Sequence, residues 1–445
     1  MTKDLTQGKI TPLLVKFTIP LLFGNIFQLM YNSVDSIIVG QLVGKEALAA
    51  VGTSNPLMTL AILFVNGMCI GASILMGTQY GAKKMDVLKR QISTTMIAGI
   101  VFSIAVTLFC ILFARPLLLL IRVQEEVLPL AVSYLRIVFL GFIFTFIYNF
   151  FACTLRALGD SKTPLYFLVT SAFLNIFGDL FFVVVLRWGV AGSAIATVCS
   201  EGLCCLLCGI YIKKKIPLLC LGKKWWVFDK SLLGKTVSYG STSAMQQVCL
   251  QLGKLIIQSV VNTQGVAVMA AFTAVNRVDD FAYTPQQNIG HAMTTFLAQN
   301  KGAGHKERMK KGFQTGLLIE LVYSIGLFCV IWGLAPQIMT LFAEDGDAQV
   351  VSLGISYLHL ISWMYILPGL TNGVQGFFRG IGDLKVTLYS TFMNMFGRVV
   401  AVFVMIRLLQ MEFASLAWAN MVGWIVMLLF EVPLLVKSMR NGECG

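Results

Sequence analysis

Apolar residues along this chain do not alternate with polar ones. They form long solid runs, separated by short polar connections. A helix needs about 20 apolar residues to cross a bilayer. Twelve runs reach that length, at about 12–38, 50–78, 92–114, 128–152, 163–186, 190–212, 232–260, 268–298, 313–334, 350–377, 386–408 and 412–436. Solid runs are not the alternating pattern of a β-barrel. The expected fold class is all-α integral membrane, with 12 transmembrane helices. Met1 to Lys9 is polar and lacks an apolar stretch followed by a cleavage site, so no removable signal peptide is expected.

The pattern also repeats. Residues 47–56 read ALAAVGTSNP and 268–277 read VMAAFTAVNR. Gln79 to Lys83 faces Asn300 to Gly304 at the same offset of 221, and Leu155 to Lys162 faces Phe378 to Lys385 at 223. Two pseudo-symmetric six-helix lobes follow, 1–222 and 223–445, joined by the basic stretch from Lys213 to Lys235. Six is even, so both copies share one orientation, related by an axis along the membrane normal. Substrate sites in such repeats tend to lie between the halves near the midplane.

Composition agrees. The 445 residues are 57% hydrophobic and only 12% charged, with a mean hydropathy of +0.79, where a soluble chain carries about 25% charge. The net charge of +13 could suggest nucleic acid or anionic lipid, but its distribution explains it better. Alternate connections and both termini hold 25 of the 34 lysines and arginines, and the other connections hold five. This asymmetry puts both termini in the cytoplasm. The expected partners are the bilayer and small amphipathic molecules, with no nucleic acid, and the chain is expected to act as a monomer in a bacterial inner (plasma) membrane. The 11 cysteines lie almost wholly in apolar runs. Cys204, Cys205 and Cys208 spell a CxxC without a second pair, so they read as small apolar side chains.

Ionisable residues within a span are costly and are functional candidates by default. In the first lobe these are Asp35, Asp179 and Glu201. Asn25, Gln28, Asn32 and Asp35 recur at three- or four-residue steps and share one helix face. Asn175 and Asp179 are four apart, as are Ser193, Thr197 and Glu201. Helices 1, 5 and 6 could converge on an oxygen-rich pocket, which suits a hard cation. It suits a proton equally, since two carboxylates in a low-dielectric site cannot both ionise cheaply. The second lobe differs. Helix 7 carries Gln247, Gln251, Lys254 and Gln258 on one face. With small gaps, Lys254 aligns with Asp35 and Arg398 with Asp179; without a gap Arg398 aligns with Asn175. Lys254 and Arg398 are candidates to gate, to meet substrate or to pair with Asp279 and Asp280. Arg277 and Asp280, three apart, could also satisfy each other. His291 and His359 read as core residues.

Gly380 to Asp383 spells the GxGD of intramembrane aspartyl proteases, but its repeat mate Ala157 to Asp160 also falls in a short basic connection. A turn with Asp capping the next helix is the better reading. No HExxH, GxSxG or phosphate-binding Gly-Lys-Thr motif appears, so neither an enzyme nor an ATP-driven pump is expected. The repeat argues for alternating access over a channel.

The proline-containing first helix with Asp35, LAAVG at 48–52, the Gly-rich segment Gly77 to Gly81, LRALGDSKTP at 155–164 and the Asn175/Asp179 pair together resemble the multidrug and toxic compound extrusion (MATE) family. The resemblance spans the chain. It implies a cation-coupled antiporter, driven by H⁺ or Na⁺ and using no other cofactor, that exports amphipathic, often cationic compounds. Within the family the first-lobe acids look like the DinF-like branch, which implies a cation site at Asp35, Asn175, Asp179 and Thr197. The NorM-like branch uses acids on helices 7 and 10. Helix 7 here offers only Gln246, Gln247 and Gln251, and helix 10 offers no acid. The alternative is a lipid-linked oligosaccharide flippase of the same superfamily, in which Lys254 and Arg398 would hold pyrophosphate.

Overall fold

The computed structural model describes residues 4–216, 226–342, 348–409, 413 and 415–440. Residues 217–225 of the basic linker lie outside them. Fourteen α-helices run in order: α1 (Ile10–Ile38), α2 (Lys45–Gly81), α3 (Met85–Leu120), α4 (Leu128–Leu140), α5 (Phe142–Ala157), α6 (Lys162–Asp179) and α7 (Gly189–Lys215), then α8 (Lys230–Val261), α9 (Val266–Gly302), α10 (Lys306–Phe342), α11 (Ala348–Ser362), α12 (Ile366–Ile381), α13 (Leu384–Val402) and α14 (Ser415–Arg440). Each of the twelve predicted runs coincides with one helix or one broken pair. Among the described residues, nine helical runs are long and apolar enough to cross a membrane, with Ala348–Ile381 (α11 through α12) counted as one, and the bent pair α4–α5 makes a tenth. The other two predicted spans fall on the long helices α8 and α9, of 32 and 37 residues.

Two predicted spans are broken, for local reasons. The run at 128–152 bends by 46° between α4 and α5. Gly141 occupies the break, and a Cβ there would lie 2.5 Å from Val198 Cγ2 of α7. The chain bends where a side chain would block that helix. The run at 350–377 passes through a 3₁₀ turn, Trp363–Tyr365, just before Pro368. Proline lacks an N–H and its ring clashes with the carbonyl four residues earlier, so the helix restarts there. Short π-helical segments follow α1 (Val39–Val43), α6 (Leu180–Val185) and α13 (Phe403–Leu408). Gly44 and Gly265 precede α2 and α9 with φ of 121° and 101°, angles that a side chain rarely adopts.

The chain divides into two compact units. One is Met1–Asp4 with Ile19–Ala244, and the other is Leu5–Thr18 with Met245–Gly445. This division differs from the repeat boundary at 222/223: the first half of α8 packs with the first unit, and the first turns of α1 belong to the second. In the first unit, Gln91 Nε2 of α3 donates to Thr236 Oγ1 of α8 at 2.6 Å. In the second, Leu5 N donates to Gln299 Oε1 at 3.0 Å, and Arg308 Nη1 donates to the Gly8 carbonyl at 2.7 Å.

The core of the first unit includes Phe139, Phe142, Phe146 and Phe150. That of the second includes Tyr357, Tyr365, Met339 and Trp424. Cys204 and Cys205 are buried and donate to the backbone carbonyls of Phe167 and Phe144, at 3.2 Å each. His359 packs its ring 4.7 Å from that of Trp332. Asp160 caps α6 as expected, accepting from Thr163 N at 3.0 Å and Thr163 Oγ1 at 2.6 Å. Asp383 makes no such cap on α13. There the turn rests on Gly382, whose φ is 85°.

Candidate functional site

Helices α1, α6 and α7 of the first unit bring the predicted acids and amides together. Asn175 and Asp179 lie one turn apart on α6, 1% and 0% exposed, and a π-helical segment begins at the next residue. Such segments often mark functional positions. Asp35 lies on the last turn of α1 before its own π-helical segment. Its carboxyl group is within hydrogen-bonding reach of that of Asp179. Ser193 of α7 donates to Asp35 Oδ1 at 3.5 Å.

With its amide turned to satisfy both ends, Asn175 donates through Nδ2 to Asp179 Oδ2 at 2.9 Å. Its Oδ1 then accepts from Thr197 Oγ1 at 3.1 Å and Thr197 N at 3.2 Å. Asp179 Oδ1 is buried and has no donor among the described residues. Two carboxyl groups that face each other at low dielectric repel unless a proton or cation lies between them. Oxygens from carboxylate, amide and hydroxyl groups are the donor set that a hard cation takes. Tyr31 and Tyr134 lie close enough to interact with the charge of both acids. Neither tyrosine was evident from sequence, because nothing in their spacing connects them to the acids. Glu201, the third first-lobe acid, is engaged by Thr145, whose hydroxyl donates to Oε2 at 2.5 Å.

The remaining predicted residues are more scattered. Asn25 is half-buried and Gln28 exposed on α1; the side chain of Asn32 lies outside the described ones. On α8, Gln247 is half-buried and Gln251 exposed, while Gln246 is buried and donates to Gln375 Oε1 at 3.2 Å and Thr391 Oγ1 at 2.9 Å. Lys254 pairs with Asp280 at 3.5 Å, with both side chains more than half exposed. Asp280 thus meets Lys254 rather than Arg277. An exposed pair of this kind contributes about 0–1 kcal/mol.

Arg398 interacts with Asp279 through charge, and its Nε has no partner among the described residues. Asp279 is held by two hydroxyl donors, Tyr365 at 2.5 Å and Tyr357 at 3.1 Å, and Asn420 donates to Tyr357 at 2.8 Å. All four side chains are buried. Tyr365→Phe leaves a buried carboxylate oxygen without its donor, a cost of about 1–3 kcal/mol. Thermal melting of the purified protein should fall by several degrees, and an unchanged midpoint would mean that this bond contributes nothing.

The second unit also corrects the gapped alignment. The π-helical segments Leu180–Val185 and Phe403–Leu408 correspond at an offset of 223 without any gap. In that register Asn175 answers to Arg398 and Thr197 to Asn420. Asp179 answers to Val402 and has no charged counterpart. Two buried acids of the second unit, Glu320 and Glu431, were missed in the sequence although both fall within predicted spans. Glu431 interacts with Arg379. Reading down the ionisable residues of every span would have found both.

Comparison with known proteins shows what the whole chain is similar to. The sequence profile described as MatE matches the chain twice, over residues 20–181 and 243–404. The chain is 31% identical over 388 residues to the probable multidrug resistance protein YpnP of Bacillus subtilis (strain 168), covering 86% of each. It is 30% identical over 389 residues to the probable multidrug resistance protein YoeA of the same organism, covering 85% of this chain and 82% of that protein. Among solved structures, a multidrug resistance MATE family transporter of the MOP superfamily in an outward-facing conformation superposes with a TM-score of 0.90 at 22% identity, over 99% of this chain and 98% of that one.

Proposed function

Because this chain belongs to the MatE family, whose profile covers it in two copies, we propose that it is a cation-coupled antiporter. It exports small amphipathic, often cationic compounds across a bacterial plasma membrane by alternating access. Its relatives YpnP and YoeA carry the description of probable multidrug resistance proteins, which supports that class of cargo. The coupling ion, H⁺ or Na⁺, binds at Asp35, Asn175, Asp179 and Thr197, as the resemblance to the DinF-like branch implies. One observation carries this reading: two carboxyl groups face each other inside a helix bundle, and Asp179 Oδ1 lacks a donor among the described residues.

In the proposed cycle the ion enters down its gradient and neutralises the pair. Helix α1 contains Pro20 and therefore lacks one backbone hydrogen bond. It rearranges, cargo leaves, and the lobes turn inward. The termini face the cytoplasm, in keeping with the lysine and arginine distribution. A potential of 100 mV supplies about 2.3 kcal/mol per charge, enough for a cargo gradient of roughly forty-fold.

Ethidium efflux from energised cells tests the reading. Cells making the protein should extrude the dye faster than cells without it. If H⁺ is the coupling ion, a protonophore should stop the excess whether or not Na⁺ is present. If Na⁺ couples, removing it should stop the excess. Efflux indifferent to both treatments would refute coupling.

A further inference from the structure

One buried acid takes no part in the site above. Glu320, in the middle stretch of α10, is 1% exposed, and neither carboxylate oxygen has a hydrogen-bond partner among the described residues. Its neighbours come from three helices of the second unit. Gln286 of α9 donates through Nε2 to Ser324 Oγ at 3.1 Å and to the Tyr365 carbonyl at 2.8 Å. Those bonds fix the amide and leave Gln286 Oε1 buried without a partner among the described residues. Ser324, one turn beyond Glu320, donates to its backbone carbonyl at 2.7 Å. Gly369 of α12 closes the cluster. A Cβ there would lie 2.9 Å from Ser324 Oγ, 3.2 Å from Gln286 Nε2 and 3.5 Å from Glu320 Oε2.

The internal repeat shows that packing alone does not require this acid. Helices α3 and α10 align at the offset of 221, and α5 and α12 at 223, so Gly99 answers to Glu320 and Phe146 to Gly369. The structure of the first unit agrees: a Cβ on Gly99 would lie 1.9 Å from Phe146 Cζ. Val65, Phe102 and Phe142 answer to Gln286, Tyr323 and Tyr365, and only the serine, Ser103 against Ser324, is kept. A place that a phenyl ring fills in one unit is filled in the other by a carboxyl group with a polar shell. Burying that group costs several kcal/mol when it is charged and unpaired.

We propose that Glu320, with Gln286 and Ser324 around it, is a second proton-binding site, which releases and regains a proton during transport. The occupant is a proton rather than a metal ion. A hard metal cation takes several oxygens at once, whereas Gln286 turns its amide nitrogen toward Gly369 beside Glu320. A lone carboxylate needs one proton. The titratable group that interacts with Glu320 from its own helix is Tyr323. From α9 the facing group is Gln286 and from α12 it is Gly369, neither charged. Tyr365 offers its carbonyl while Asp279 engages its hydroxyl. The inference rests on the antiport reading, but not on Asp35 or Asp179.

Infrared spectroscopy of the full-length protein in liposomes, titrated through pH, reads the protonated carboxyl directly. Glu320→Gln imitates the protonated acid in shape. It is expected to remove one carboxylic-acid band that the wild type gains and loses with pH. It should also abolish ion-driven export while substrate still binds. Persistence of every titrating band in Glu320→Gln, or wild-type export by that variant at every pH, overturns the site. Asp35→Asn tests the first-unit reading separately, so an inactive Asp35→Asn beside a fully active Glu320→Gln sinks this inference alone. A wild type without any ion-driven export would refute the antiport reading, and the inference with it. Should Glu320→Gln fail to fold, Glu320→Gly combined with Gly369→Phe copies the Gly99/Phe146 packing and supplies the same two readouts.

Discussion

Asp179→Asn should reduce ion-driven export to the background of cells lacking the protein, while the variant still reaches the membrane in normal amount. Asparagine has the shape of aspartate, so the packing between α6 and α7 survives. What changes is the kind of group presented. Asp179 offers one oxygen to Asn175 and leaves the other without a donor among the described residues, and its carboxyl group lies beside that of Asp35. An amide puts an N–H₂ beside Asp35, which then accepts a hydrogen bond where, on the proposed reading, the two acids share an ion. Losing one charged partner of this kind costs about 1.5–3 kcal/mol, and 3 kcal/mol weakens ion binding roughly a hundred-fold. Asp35→Asn should act in the same direction. Thr197→Ala should act more weakly, because it removes only one of two donors to Asn175 Oδ1. The measurement is dye efflux together with membrane abundance. Full efflux by Asp179→Asn at wild-type abundance would remove the first-unit pair as the coupling site.

The spans were legible because burial in lipid demands uninterrupted apolar length, which one dimension displays directly. Breaks in the spans were not. The bend at Gly141 depends on Val198 arriving from α7, a contact between residues 57 positions apart in the sequence. At the candidate site, four-residue spacing placed Asn175 with Asp179, and Ser193 with Thr197, since neighbours on one helix face follow from helix geometry. That Asp35 turns toward Asp179 depends on how two helices rotate against each other, and no spacing encodes it. The same limit explains Asp280. Sequence offered Arg277 three residues away as its partner, whereas Lys254 on another helix meets it. Glu320 is the opposite case. Its position inside a predicted span was visible, but an internal repeat shows itself only at positions where the lobes agree. The acid stands where they differ, with Gly99 as its first-lobe counterpart.

Gly71→Ala carries the second large expectation, and it concerns folding of the first unit. Helices α2 and α8 each present small residues four apart, Gly67 with Gly71 and Gly240 with Ala244, the spacing that lets helices approach backbone to backbone in a membrane. They do approach so closely. A Cβ on Gly71 would lie 2.5 Å from Gly240 N and 2.7 Å from the Tyr239 carbonyl carbon, and one on Gly67 would lie 2.6 Å from Ala244 N. Backbone atoms cannot swing aside as the end of a side chain can, so a single methyl group must push the two helices apart. Overpacking of that kind costs about 1–3 kcal/mol or more. In a unit of this size 3 kcal/mol corresponds to about 6–12 °C in melting temperature. With the Gln91–Thr236 hydrogen bond, this contact ties the first half of α8 to the first unit, which ends at Ala244. Gly234→Ala on the same helix is the control. A Cβ there meets nothing within 4 Å, and alanine favours a helix over glycine by about 1 kcal/mol, so its melting temperature should stay or rise slightly. Thermal melting of both variants in detergent decides the matter. Equal melting temperatures for Gly71→Ala and Gly234→Ala would show that the α2–α8 contact is not as close as its backbone distances make it.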